Sequence, residues 1–570
     1  MRFGNWEIGG FDRVTAVDFC QHGINPLVSV LLASRGAANI RDVRAMLGDG
    51  PTEFHDPFLM IDMHEAVHRI NKAIDSGERI AIYGDYDVDG MTSCALLALW
   101  LRSKGADPEI YIPGRLGEGY GLNSSALDAL KSRGVGLVIT VDCGITAIEE
   151  AEHARSLGLG LVITDHHECR EELPDADAVV DPKRPDCAYP DKTLAGVGVA
   201  FKLVCALERE ADIDELLIRY GDLVAIGTIA DVMPVLGENR ALIRRGLLTL
   251  NNNPRPGLRR LLQEVGLEPG KVNSAAVGFT IAPRLNAAGR MGNSELSVDL
   301  LLTDSNADAD SLTTELCRMN TERRSLELDM YTEAEDMLSE SVPDGPIVLA
   351  RRGWFQGVTG IVAAKMAERC MMPAIIISIG DDGIGRGSCR SFGDFSIYDA
   401  LRSCGDILLS YGGHEMAAGV TVTEQNIGEL RRRVALCYHD SVRASPRPGL
   451  FLDFEVEKME LLTVENIGAL ECLEPFGNGN RSPYLYMGGA VVTAAFPIGA
   501  GKHSRLRVEK EGKSFDCVFF SMPPEDLGVA DGMLVDIAFE PQINEFRGKC
   551  SVQLNLLDIR ASKWKGAVLG

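Results

Sequence analysis

The sequence predicts an α/β protein: a parallel sheet with helices on both faces, a helical connecting region, a smaller α/β unit and a C-terminal all-β barrel. Three observations predict it. Short β-branched apolar runs alternate with helical stretches from about residue 80 to 165, the pattern a covered parallel sheet produces. After a long, mostly helical stretch the alternation returns near residue 345. From about residue 450, short alternating strands follow one another closely.

Taken in order, residues 1–75 read as a helical lead-in, because "NPLVSVLLASRG" and "MHEAVHRINKAI" space their apolar residues helically. In 76–235, "RIAIYGD", "PEIYIPG", "VGLVITVDCG" and "LGLVITDHH" read as strands. The helices between them are "MTSCALLALWLRSKG", closed by Gly105, then "NSSALDALKSRG" and "TAIEEAEHARSLG". Residues 236–342 form the helical connecting region, with a loop at "NNNPRPG". In 343–445, "GPIVLARR" and "MPAIIISIG" are strands around the helix "GVTGIVAAKMAERC", and "SIYDALRSC" and "NIGELRRRVALC" are helices. "SVRASPRPG" reads as a linker. In 446–570, "LFLDFEV", "YLYMGGAVVTAAF", "SFDCVFFS" and "CSVQLNLLDI" are among the strands of a small barrel or sandwich, the OB-fold being one option.

Bulk properties bound the function. With 570 residues, 45% hydrophobic and 24% charged, the chain is an ordinary soluble multidomain protein. No apolar run is long enough to cross a bilayer, and the start lacks the apolar core of a secretory signal. The 14 scattered cysteines contain no CxxC pair, which predicts reduced thiols in a cytoplasmic protein rather than a disulfide frame or a zinc site. A net charge of -25 argues against a general nucleic-acid coating protein. It leaves room for a nucleic-acid enzyme with a local basic groove.

The chemistry concentrates at strand ends. "GDYDVDG" places Asp85, Asp87 and Asp89 just after a buried strand, where open α/β sheets bind ligands. Extended geometry there would point all three to one side, and Gly90 allows the turn into the helix. "LVITVDCG" delivers Asp142, "LVITDHH" delivers Asp165, His166 and His167, and "AIGTIADVMP" offers Asp231 at the end of another apolar stretch. A lone aspartate at such a place is ordinarily a helix cap. Several converging on one sheet edge, with paired histidines, predict a site for Mn²⁺ or Mg²⁺. Asp142 is placed to bridge two ions, and two ions form a clamp for in-line attack at phosphorus.

"GDYDVDG", "VDCG" and "TDHH", in this order, resemble the motifs of the DHH phosphoesterase superfamily. "YIPGRLGEGYGLN", "LAGVGVAFKL", "GTIADVMPVLGENR", "APRLNAAGRMG", "GSCRS", "YGGHEMAAG" and "LEPFGNGN" narrow the resemblance to the RecJ-type single-stranded-DNA-specific exonucleases, over nearly the whole chain. The resemblance implies a DHH catalytic domain, a smaller DHH-associated domain and an OB-like barrel. It implies Asp85, Asp87, Asp89, Asp142, His166 and Asp231 as ligands of two divalent cations. His167 would contact the scissile phosphate, and Asp165 would orient the histidine pair. It implies hydrolysis of single-stranded DNA from the 5′ end to 5′-mononucleotides, in repair and recombination. A single-strand-binding protein and a helicase are the implied protein partners of a cytoplasmic monomer. One departure is visible: Gly353 and Trp354 are followed by Phe355, where the family usually has histidine.

For DNA contacts, Arg115 and Tyr120 lie in a glycine-rich loop suited to stacking on a base. Arg284, Asn286 and Arg290 occupy "APRLNAAGR", read as a turn of small residues open to phosphate. Ser388, Arg390 and Ser391, beside Arg386, read as a strand-like segment, and with Gly412, Gly413 and His414 they resemble a phosphate-binding edge. A bland reading makes these glycines turns and His414 a core group. Arg244, Arg245, Arg259 and Arg260 would line the approach or lie on solvated helix faces. Lys502, Arg505, Arg507, Lys510 and Arg547 are the barrel's candidates. The rival functions are a DHH phosphodiesterase of short oligonucleotides or cyclic dinucleotides, and a non-catalytic nucleic-acid-binding scaffold.

Overall fold

The computed structural model describes residues 3–48, 54–114, 121–340, 345–441 and 449–562. The chain forms two compact units. One holds residues 53–443 and 475–480; the other holds 1–52, 444–474 and 481–570.

The first unit contains two sheets. Its N-terminal sheet is five-stranded and wholly parallel, in the order Glu109–Tyr111, Ile80–Gly84, Leu137–Val141, Gly160–Thr164, Ala178–Val180. Every residue of Ile80–Gly84 and Leu137–Val141 is buried, because helices cover both faces. The helix Val88–Ser103 is buried along nearly its whole length and packs against the helices Gly196–Leu207 and Ile213–Ala230. The edge strand Glu109–Tyr111 is short, and the opposite edge, Ala178–Val180, is not among the strands expected from the sequence. Helices follow from Gly196 to Glu340, as expected.

The second sheet of this unit runs Leu408–His414, Ala417–Thr423, Ile384–Arg390, Ala374–Ile379, Ile347–Arg352. Its last two strands are parallel and the others antiparallel. One face buries Cys389, Ala418, Val420 and Val422 in an apolar cluster. By alternation, Arg386, Ser388 and Arg390 project from the other face.

In the other unit, five strands close a barrel: Leu485–Ile498, His503–Lys510, Lys513–Phe519, Lys549–Ala561 and Leu534–Phe546, with the last pairing back onto the first. Full closure leaves no sheet edge in the barrel wall. The lead-in departs from expectation. Trp6–Ile8 is a strand, paired in parallel with Leu450–Leu452, and the indole of Trp6 donates to Asp558 (3.1 Å). Residues 1–52 thus belong with the barrel, while 475–480 belong with the other unit. Pairing between positions so far apart in the chain leaves no local trace in a three-residue strand. Among the described residues, no helix is long and apolar enough to cross a membrane.

Candidate active site

Extended backbone ends at Gly84, so the expectation that Asp85, Asp87 and Asp89 share one side through strand alternation does not hold. Asp87 is instead the N-cap of Val88–Ser103, accepting from the backbone N–H groups of Asp89 (2.9 Å) and Gly90 (3.1 Å). Asp89 sits in the first helical turn. Gly90 is required by close approach: a Cβ there would lie 2.5 Å from the carbonyl oxygen of Asp85. The turn divides the carboxylates between two clusters. Ligand atoms of Asp85, Asp87 and Asp142 lie within 4.8 Å of one another, and so do those of Asp89, His166 and Asp231.

Asp142 joins the clusters. It follows the strand Leu137–Val141 with φ +60, a left-handed conformation that aspartate tolerates better than most residues. Its Oδ1 lies 3.1 Å from His166 Nε2. His166 Nε2 lies 3.5 Å from Asp231 and 3.8 Å from Asp89. Asp231 comes from a helix end, as the C-cap of Ile213–Ala230, rather than from the sheet.

Asp165 differs from the others because its carboxylate is saturated. It accepts from the backbone of Ile145 (2.9 Å), His166 (2.7 Å) and His167 (3.2 Å), and from His167 Nδ1 (2.7 Å). These contacts hold the ring of His167 through Nδ1 and reach His166 through its backbone N–H alone. Sequence reasoning misses the donors to Asp89: the backbone N–H groups of Gly196 (2.6 Å) and Val197 (2.8 Å), at the start of the helix Gly196–Leu207. That helix end favours an anion. The glycines of "LAGVGVAFKL" are the available signal. A Cβ on Gly196 would lie 2.6 Å from Asp142 Cβ, so glycine alone lets the helix end come this close.

The electrostatics follow from burial. Burial, then the charge of Asp89, pushes Asp142 well above the usual carboxylate range. Burial and Asp87 push Asp89 up to about 7, and burial and Asp89 push Asp231 up to about 9. Burial, with His167, lowers His166 to about 3. Burial works against a charge on His167, but the hydrogen bond to Asp165 and the charges of Asp165, Asp231 and Asp89 together outweigh it and raise His167 to about 9. Burial opposes a charge on Asp165, but the hydrogen bond and charge of His167, with His166 and the N–H of Ile145, together outweigh it and lower Asp165.

This donor set fits divalent cations. Asp142 Oδ1, His166 Nε2 and Asp231 Oδ2 are buried and find no hydrogen-bond partner among the described residues. Clustered buried carboxylates without partners are strongly disfavoured unless cations hold them. Carboxylate oxygens with imidazole suit Mn²⁺ or Mg²⁺.

The predicted DNA contacts divide. Arg115 and Tyr120 lie outside the described residues. "APRLNAAGR" is a helix, Ala282–Arg290, and not a turn. Its small residues serve packing: Gly289 lies against the carbonyl oxygen of Tyr86, in the acidic motif. Arg284 donates to Thr280 O (2.6 Å) and Arg290 to Gly357 O (3.4 Å); Asn286 is half-buried between them on the same helix. Phe355 packs beside that contact, its ring 2.6 Å from where a Cβ on Gly357 would stand.

On the second sheet, Ser388 pairs with Gly419 and Gly419 with Gly412, while Arg390, Ala417 and His414 form the next rank. Gly412, Gly419 and His414 are exposed, so His414 is no core group and the glycines are strand residues. Gly413 (φ +132) permits close contact with Ala417 and Ala418. Ser391 is not on this face: it is buried, and its hydroxyl donates to Phe395 O. Arg245 pairs with Asp214, Arg260 with Asp310 and Glu264, and Arg259 donates to Pro254 O. Those contacts make them helix-face residues. Arg244 lies on the same helix as Arg245. Arg505 and Arg507 share Asp516, and Lys502, Lys510 and Arg547 lie in the barrel unit.

The single-stranded-DNA-specific exonuclease RecJ of Escherichia coli (strain K12) is 34% identical over 557 residues, spanning 93% of this chain and 95% of its own. That of Bacillus subtilis (strain 168) is 40% identical over 572 residues, spanning 98% of this chain and 71% of its own. The chain belongs to the RecJ family. Three family models match: the DHH family N-terminal domain over 79–228, the DHHA1 domain over 344–440 and the RecJ OB domain over 452–558. The crystal structure of RecJ from Thermus thermophilus in complex with Mn²⁺ superposes with a TM-score of 0.83 at 30% identity, over 98% of this chain and 80% of that one. The Mg²⁺ complex of the same protein gives 0.78 at 29% identity, over 98% and 79%. The acidic centre lies in the span of the DHH model but for Asp231, three residues beyond its end.

Proposed function

We propose that this chain is a single-stranded-DNA-specific exonuclease that releases 5′-mononucleotides from the 5′ end, using two divalent cations. The observation that carries the reading is the pair of ligand clusters meeting at Asp142 and His166. Asp85, Asp87 and Asp142 would hold one cation; Asp89, His166 and Asp231, with Asp142 as bridge, would hold the other. Such a pair supplies charge neutralisation at the phosphoryl group and a water of lowered pKa for in-line attack.

The chain's own groups do the rest. Asp165 fixes His167 through Nδ1 and keeps it protonated, which leaves Nε2 as a cationic donor to an oxygen of the scissile phosphate. On this face Gly412, Gly419 and His414 are exposed and Ser388 and Arg390 half-buried; these two ranks offer small residues, a guanidinium and backbone groups to a terminal 5′-phosphate. That supports the 5′ polarity. In the barrel unit, exposed Phe496, Phe520 and Phe546 offer stacking surfaces for the bases of a single strand. All fourteen cysteines are free thiols, which supports a reducing, cytoplasmic setting.

The test uses single-stranded DNA labelled at its 5′ or 3′ end, incubated with Mn²⁺ and either the wild-type or the Asp142→Ala protein. Early mononucleotide from the 5′ label, absent with the variant, is the expected result. No cleavage by either protein, in Mn²⁺ or Mg²⁺, would overturn the reading.

A further inference from the structure

We infer that the segment Pro475–Asn480 is a clamp that positions Asp231, acting through Asn478 on a strained helix cap at Val232. The inference rests on the metal-centre reading above. The helix Ile213–Ala230 ends with Asp231 as its cap, and Val232 follows in the left-handed region at φ +57. The N–H of Met233 returns to Thr228 O (3.4 Å) and that of Val232 to Ile229 O (3.2 Å). This is the Schellman arrangement, in which the residue at Val232's position is usually glycine. A β-branched residue there is a genuine outlier, because its Cβ crowds the following carbonyl.

Burial of the valine side chain does not hold it there, since Val232 is 66% exposed. Its backbone is held from outside. Asn478 Nδ2 donates to Val232 O (3.1 Å), and the N–H of Val235 donates to Asn478 O (2.7 Å). The clamp is itself seated by Ser274 Oγ on Phe476 O (2.6 Å) and by Arg240 Nη1 on Pro475 O (3.3 Å). A Cβ on Gly477 would lie 2.6 Å from Val235 Cγ2, so this seat accepts glycine.

Glycine at 232 would adopt the cap conformation unaided. Valine makes it conditional on the clamp, and a strained conformation persists where its surroundings over-determine it. One residue earlier, Asp231 Oδ2 faces His166 Nε2 at 3.5 Å. The N–H of Asp231 is tied to Gly227 O (2.9 Å), and the turn at 232 closes directly behind it, so the clamp would steady the helix end that carries that carboxylate. The clamp is also an excursion: the chain on either side of it, 444–474 and 481–570, belongs to the barrel unit.

The test compares wild type, Asn478→Ala, Val232→Gly and the double variant as full-length proteins. One readout is hydrogen exchange of the Val232–Val235 amides without metal. The other is the Mn²⁺ concentration that half-maximally raises the melting temperature. We expect Asn478→Ala to speed the exchange and to raise the Mn²⁺ midpoint about threefold to tenfold, the worth of one hydrogen bond. Val232→Gly in that background should return the midpoint to within about twofold of wild type. Unchanged exchange and midpoint in Asn478→Ala, or a defect that Val232→Gly does not repair, would overturn the clamp. A wild-type protein that ignores Mn²⁺ would overturn the reading of the centre instead, and the exchange comparison would still decide the clamp.

Discussion

His166 Nε2 lies 3.1 Å from Asp142 Oδ1, with both side chains buried and neither atom hydrogen-bonded among the described residues. Two adjacent orphan ligand atoms, surrounded by the other carboxylates of the centre, make this pair the point where removal of one charge should matter most. Asp142→Asn keeps the shape and removes the charge that Asp85, Asp87, Asp89 and Asp231 all oppose. The metal-free variant should melt higher than wild type. It should lose Mn²⁺ stabilisation, and its nuclease rate should fall by about a hundredfold or more. Calorimetry with and without Mn²⁺, beside a cleavage assay, checks all three.

The pH dependence of stability has a definite sign. Folded Asp231 keeps its proton to about pH 9, against 3.8 for an ordinary carboxyl, and His167 keeps its proton to about 9 against 6.5. Between about pH 7 and 9 the folded protein therefore binds more protons than the unfolded chain, so stability falls as pH rises through that window. Divalent cations take the place of protons on the carboxylates. The gap between melting temperatures in Mg²⁺ and in chelator should thus widen from about pH 7 to about pH 9. A gap that narrows would refute the assignment.

Gly196→Ala tests the close approach of a helix end to the acidic centre. The new Cβ would stand 2.6 Å from Asp142 Cβ, and the two N–H groups on Asp89 would have to withdraw. Destabilisation of about 1–3 kcal/mol is expected from the overpacking. The nuclease should weaken with it, whereas Gly198→Ala, whose Cβ would meet Leu194 at an ordinary 3.4 Å, should be mild. Urea unfolding of both variants makes the comparison.

The proposed phosphate face predicts a binding defect rather than a chemical one. Arg390→Ala should raise KM on 5′-phosphorylated single strands by roughly tenfold or more, as the loss of a charge-assisted hydrogen bond implies. The kcat should change little, and substrates lacking the 5′-phosphate should be less affected. Steady-state kinetics on the two substrate forms separates these outcomes.

Much of this site is legible in the sequence because strand ends are locally written. A buried β-branched run followed by aspartate and glycine declares where the chain emerges, and parallel strands emerge at one edge. Asp85, Asp142 and the Asp165–His166–His167 run are readable in that way. Strand alternation fails for "GDYDVDG" because the first helical turn overrides it, so Asp87 caps and Asp89 is helical. The expected turn at "APRLNAAGR" is a helix because small residues mark both loops and tight helix packing, and its contact with Tyr86 is non-local.

Local stretches of the chain specify most of the elements and the chemical kind of the centre, since hydrophobic period and donor type are properties of a few neighbouring residues; the short strands Trp6–Ile8 and Ala178–Val180 escape them. How distant pieces complete that centre depends on packing. The Gly196 and Val197 donors reach Asp89 across more than 100 residues, Asn478 reaches Val232 across 246, and Trp6 finds its strand partner at Leu450. Each of these links uses backbone groups brought together by the tertiary fold. A backbone N–H or C=O is the same at nearly every position, so the sequence carries no mark of which one will be used.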